Sequence, residues 1–201
     1  VAGRRVIILV EGKTERALKE ALHRTLDPRC KDAGVARPGI ETRRWDSFRD
    51  PKKVQTQVHR FLDTEGVLCV VGLVDVRPYF PSPDEAKLFL RKAAGSTSRF
   101  HPHVAHHDFE AWLLPYWDDI CRRLGVQRRR PGANPEEVND QKPPSQHLEE
   151  LYRLARRSYQ KPQDAHTILA DQDLALAARE CPELKALLNT LLHCCGLEPV
   201  P

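Results

Sequence analysis

The chain reads as an α/β protein with a mostly parallel central sheet flanked by helices and a helical last third. Three observations predict this. Two short apolar runs rich in β-branched residues, at 5–10 and 67–74, are too short for helices and apolar on both faces, as strands buried from both sides are. Each is followed by a segment with apolar residues at helical spacing, the βα grammar of a parallel sheet. From about residue 135 onward the pattern is helical. The 201 residues divide into an α/β domain at 1–127 and a helical extension at 128–201 packed on it.

In order, the first run stops at Glu11-Gly12, where the glycine permits a tight turn and Thr14 can cap a helix. Leu18, Ala21, Leu22 and Leu26 give that helix an apolar stripe, and Pro28 is expected to end it. A short weak strand follows at 40–45, then a helix at 52–64 on Val54, Val58, Phe61 and Leu62. The second apolar run ends at Asp75. Ser82 is placed to cap a helix reaching Ala94, with Ala86, Leu88, Phe89 and Leu90 inward. A short strand through Val104 and Ala105 precedes a helix from about Asp108. Residues 128–134 read as a basic loop. Ser145 is expected to cap a helix over 146–157 with Leu148, Leu151 and Leu154 inward, a short helical pair follows on Ile168, Leu169, Leu174 and Leu176, and Cys181-Pro182 opens a final helix.

Lys and Arg total 32 against 28 Asp and Glu, a net charge of only +4, but the arginines cluster at 4–5, 43–44, 122–123, 128–130 and 156–157. Such clusters suit phosphate contacts, so nucleic acid is a reasonable partner. No apolar run approaches membrane-spanning length and no leader pattern is present, so the expectation is a soluble cytoplasmic protein without a membrane partner. The six cysteines form no CxxC pair, which argues against a zinc ribbon or a redox motif. Cys69 and Cys121 read as buried thiols, and Cys194-Cys195 as packing.

Chemistry is expected where the strands end. If the two apolar strands are neighbours, right-handed crossovers bring Glu11 and Asp75 to one edge of the sheet. Paired carboxylates there repel unless a cation lies between them, and hard oxygen ligands suit Mg²⁺ or Mn²⁺. The plain alternative is that Glu11 and Glu15 only complement a helix dipole, and that Lys13 is a solvated first-turn residue. A second polar cluster spans 101–110. Asp108 and Glu110, two apart at a helix start, are expected to point to different sides. His101-x-His103 and His106-His107 suggest metal ligands, but their spacing matches no zinc helix motif, and His107 is favoured as a proton-handling group.

These residues form a familiar series. Val-Glu-Gly-Lys-Thr-Glu at 10–15 and Leu-Val-Asp at 73–75 resemble the TOPRIM fold of topoisomerases, primases and OLD-type nucleases. The resemblance extends to a bacterial TOPRIM-like family, domain of unknown function 4276. Its His-Glu-Phe-Glu-Ala block resembles 107–111, its Pro-Glu, Asn-Asp and Pro-Ser steps resemble 135–140 and 144–145, and its Tyr-x-Lys and Cys-Pro resemble 159–161 and 181–182. The resemblance implies a metal site on Glu11, Asp75 and Glu110, with Glu15, His107 and Asp108 nearby, used for phosphoryl transfer on nucleic acid. It also implies an AAA-type ATPase partner in a phage-defence setting. Two positions depart from the pattern: Arg77 replaces the second acid of Asp-x-Asp, and Asp108 stands where the family more often has Glu.

The expectation is therefore a Mg²⁺- or Mn²⁺-dependent nuclease. Glu11, Asp75, Glu110 and Asp108 would be the metal residues, and Glu15 or His107 the general base. Lys13 and Arg77 would stabilise phosphate charge, while Arg122, Arg123, Arg128, Arg129 and Arg130 would hold the nucleic-acid backbone. The rival is a TOPRIM-derived module that binds an ATPase or nucleic acid without chemistry, for which Arg77 argues.

Overall fold

The structure, a computed structural model, describes residues 3–12, 17–45, 47–138 and 142–200. Four strands, β1 (Arg5–Val10), β2 (Gly39–Arg44), β3 (Val67–Asp75) and β4 (Phe100–Ala105), form one sheet in the order β2-β1-β3-β4. Every pairing is parallel. β1 and β3 lie in the middle and are almost wholly buried, because their apolar residues alternate between two cores. Val6, Ile8 and Val10 join one core with Cys69, Val71 and Leu73, while Ile7 and Leu9 join the other with Val70 and Val74.

On the second face pack α2 (Pro51–Leu62) and α3 (Pro83–Ala94). Asp50 caps α2 by accepting from the amides of Lys52 and Lys53, and Ser82 caps α3 through the amide of Glu85. Gly72 lets the aromatic pair Trp45 and Phe100 lie against mid-β3. A Cβ there would meet atoms of both rings at 2.9 Å.

On the first face lie α1 (Leu18–Asp32), α4 (Trp117–Leu124), α5 (Pro144–Leu154), α6 (Lys161–Leu169), α7 (Leu174–Ala178) and α8 (Pro182–Cys195). Their apolar sides share one continuous core with β1 and β3. Buried Glu136 ties this layer together. It accepts from Trp112 Nε1 at 2.8 Å and from the Glu183 amide at the start of α8 at 3.0 Å. Among the described residues no helix is long and apolar enough to cross a membrane.

Several elements depart from expectation. Pro28 lies inside α1, which continues to Asp32 and buries Cys30 in its last turn. Thr14 falls outside the described residues. Leu88 on α3 is exposed, since Ala86, Leu90, Ala93 and Ala94 take the inner face. The segment after Asp108 is a 3-10 helix, Phe109–Tyr116, that hands over to α4. Ser145 is not a cap but lies in the first turn of α5, whose N-cap is Pro143, and Leu154 at the end of that helix is exposed.

Candidate functional site

The sheet's winding reverses between β1 and β3. From β1 the chain passes through α1 to β2, then returns past β1 through α2, on the opposite face, to β3. The segments leaving the carboxyl ends of β1 and β3 therefore diverge, which opens a crevice there. Glu11 and Asp75 stand at its two sides. Val10 pairs with Leu73, so Glu11 is one residue beyond that pair and Asp75 two.

The edge continues past the last strand. The Val76 amide donates to Ala105 O at 3.0 Å and the Arg77 amide to His107 O at 3.1 Å. His107 is buried, stacks on His106 with centroids 4.8 Å apart, and has φ 69°. A histidine in the left-handed region carries backbone strain, of a kind that collects at functional sites.

That kink leaves Asp108 extended (φ −141°, ψ 167°) at the N-cap of the 3-10 helix. Glu110 approaches Lys161 directly, and the charge of Asp108 also acts on that lysine. Lys161 Nζ is 3.6 Å from Oε1 of Glu110, a residue only 2% exposed. Burial works against the ammonium, but Glu110, Asp108, Asp75 and Glu149 together outweigh it and hold the lysine above its ordinary pKa, so it stays charged. Asp108 is pushed upward by burial, opposed by hydrogen bonds from Ser145 and by the charge of Lys161. Its Oδ2 accepts from the Ser145 amide at 3.3 Å, in the first turn of α5. Burial, then the charge of Glu110, pushes the Tyr159 phenol upward, so it remains a proton donor.

Asp108 Oδ1 and the Tyr159 hydroxyl are buried with no hydrogen-bond partner among the described residues. An all-oxygen donor set with a buried, unengaged carboxylate oxygen fits a hard divalent cation. Among the described residues, no three of these acids bring ligand oxygens within 4.8 Å of one another. Mg²⁺ is commonly held by one or two carboxylates, with water and substrate oxygens completing its shell.

A shallow groove of about 200 Å³ runs from Glu11 past Arg44, Ser47, Arg49 and Tyr79. The Arg49 guanidinium lies 4.8 Å over the Tyr79 ring.

The family model described as Domain of unknown function (DUF4276) matches residues 10–192. The chain belongs to this family. Among solved structures, the C-terminal region of the Burkholderia pseudomallei OLD protein is 15% identical, with a TM-score of 0.54, covering 95% of this chain and 100% of that one. The C-terminal region of the Xanthomonas campestris pv. campestris OLD protein is 15% identical with a TM-score of 0.46, covering 94% and 96%. No curated protein matches in sequence. The TOPRIM-like α/β class expected from the sequence is the class observed.

In this DUF4276 chain, Asp75, His107, Asp108 and Glu110 lie along one edge, and Glu11 ends the adjoining central strand. Glu15 and Lys13 lie outside the described residues, as do Asn139 and Asp140. Arg77 is exposed beside His107. Four of the arginines expected to hold nucleic acid are engaged with carboxylates: Arg122 and Arg123 with Asp119, Arg128 with Glu150 and Arg130 with Glu180. Arg129 is exposed. The four histidines divide, since His103 meets Thr190 while His106 stacks on His107. Lys161, Tyr159 and Arg49 carry no role that their local sequence suggests, while Arg44 belongs to one of the arginine pairs suited to phosphate. Tyr159 and Lys161 enter the sequence reading only through the Tyr-x-Lys resemblance.

Proposed function

We propose that the protein is a divalent-metal-dependent nuclease that hydrolyses phosphodiester bonds in the crevice between β1 and β3. The observation that carries this reading is the meeting of Asp75, Asp108 and Glu110 around the charged Lys161, beside the strand end that bears Glu11. Glu11, Asp75, Asp108 and Glu110 are the residues that would hold Mg²⁺ or Mn²⁺. When bound, the ion supplies Lewis-acid polarisation of the phosphate and a lowered pKa for attacking water. Lys161 offers a preorganised positive charge to oxygens that become more negative as the bond breaks. His107, and Glu15 if the turn after Glu11 brings it round, would accept the proton of the attacking water. Arg77, exposed on the rim, and Lys13 would hold a non-bridging phosphate oxygen. Arg44 and Arg49 would track the backbone along the groove, with Tyr79 as a stacking surface for a base. Arg122, Arg123, Arg128, Arg129 and Arg130 would extend that track if nucleic acid displaces their carboxylate partners.

The test is cleavage of plasmid and single-stranded DNA and RNA with Mg²⁺ or Mn²⁺, comparing the wild type with Glu11→Gln and Asp75→Asn. Loss in both variants is expected. Equal cleavage by all three proteins would refute the placement.

One observation favours a second reading. Arg77 occupies the position of the second acid in Asp-x-Asp, and an arginine binds phosphate but no cation. A binding subunit that serves an AAA-type ATPase in phage defence would show steeply salt-dependent nucleic-acid binding without cleavage, alone or with that ATPase.

A further inference from the structure

A second donor cluster lies towards the other end of β3. Cys69 is six residues before Asp75, about 20 Å along the strand at ~3.3 Å per residue. Its side chain belongs to the core face covered by α8, with only 2% of the residue exposed. The parallel register of β3 and β4 sets Val71 opposite His101, which brings the imidazole to the same region. Cys194, in the last turn of α8, completes the group. The ligand atoms of Cys69, His101 and Cys194 all lie within 4.8 Å of one another, and the two sulfurs are 2.7 Å apart. Among the described residues this is the one group of three such side chains drawn so close.

We propose that Cys69, His101 and Cys194 form a zinc site that pins the end of α8 to the sheet. Two thiolates and an imidazole are a soft set, matched to Zn²⁺ and mismatched to the Mg²⁺ expected at the carboxylate edge. The half-exposed position of His101 and Cys194 gives an ion a path in and leaves the fourth position to water. Zn–S bonds of ~2.3 Å in a tetrahedron set two sulfurs about 3.8 Å apart, so the pair opens by about 1 Å on binding. Cys194 can supply that movement from the last turn of α8, which ends one residue later at Cys195.

A disulfide between Cys69 and Cys194 is the competing use of the same pair. It would give His101 no role, and it would need a two-electron oxidant that nothing in the cluster supplies. The imidazole therefore decides for metal.

The chain is purified under reducing conditions without chelator and its zinc measured by mass spectrometry. Affinity is then measured by competition against a chromophoric chelator, and the metal replaced with Co²⁺. Wild type and Asp75→Asn are expected to carry zinc at parity with protein and to show thiolate-to-cobalt charge-transfer absorption. Cys194→Ser and His101→Ala should lose that absorption and bind zinc more than ~100-fold more weakly, beyond the loss typical of an outer hydrogen-bond partner. Circular dichroism establishes that these half-exposed variants remain folded. Failure of the reduced wild type to take up zinc, undiminished affinity in both variants, or a Cys69–Cys194 disulfide in the reduced preparation would overturn the site. Because Asp75→Asn abolishes the carboxylate site alone, the result does not depend on nuclease activity.

Discussion

Lys161 concentrates the electrostatics of the crevice into one side chain. Its ammonium faces Glu110, Asp108 and Asp75, so it lowers the cost of keeping those acids ionised in a buried place. Lys161→Met is expected to reduce cleavage by roughly 10²–10³-fold, the scale of losing one preorganised donor to a developing oxyanion. Lys161→Arg should recover part of that loss, and single-turnover assays at saturating Mn²⁺ read both. Glu136 makes a different prediction. Burial pushes its carboxyl upward, ahead of the hydrogen bonds from Trp112 and the Glu183 amide that pull it down. A carboxyl whose folded pKa lies above its unfolded value of ~4.3 binds its proton more tightly when folded. Its stabilising contribution is complete below the unfolded pKa and is lost as pH rises through the folded one. Thermal melts of the wild type should therefore lose ground against Glu136→Gln as pH rises from about 4 to 7, and parallel curves would contradict this. The strand ends that carry Glu11 and Asp75 were legible at this scale, because a buried apolar run that stops at an acid marks where a strand leaves the sheet. Lys161 was not, since nothing local marks a lysine whose partners are far away in sequence.

At the scale of elements, the strands and their capped helices were readable wherever one local rule acted alone. Ser82 with Pro83, and the alternation through β3, are examples. Where two rules competed, burial won. Pro28 forfeits one helical hydrogen bond, yet α1 runs on to Asp32 with Leu26 and Cys30 both buried. The 3-10 geometry of Phe109–Tyr116 hides every residue but Pro115, which leaves no amphipathic period in the sequence to read. Gly72 shows an element's tolerance most sharply. A side chain there would enter the space of Trp45 and Phe100, so Gly72→Val should destabilise the protein by about 1–3 kcal/mol, measured by urea unfolding. The same substitution at Gly125, where a Cβ meets nothing within 4 Å, tests backbone strain alone.

Across the whole molecule, the two faces of the sheet are covered by different parts of the chain. Residues 51–94 supply the helices of one face, whereas the other is closed mainly by helices after residue 108. A chain cut after residue 127 keeps the four strands but uncovers the apolar residues that meet α5 to α8. We expect it to bind ANS and to aggregate in size-exclusion chromatography, and a well-behaved monomer would contradict a shared core. The sequence displayed the helical character of this last third but not that it lends residues to the crevice, because no local pattern records which surface a helix will cover. That arrangement also fixes an order of events during synthesis. Glu11 and Asp75 leave the ribosome before Ser145, Tyr159 and Lys161. Until they dock, the acids stand without their counter-charge and Asp108 without its amide donor. A nascent or prematurely terminated chain thus holds the acidic half of the crevice without the half that would make it competent, a built-in delay for a protein proposed to cut nucleic acid in the cell that makes it.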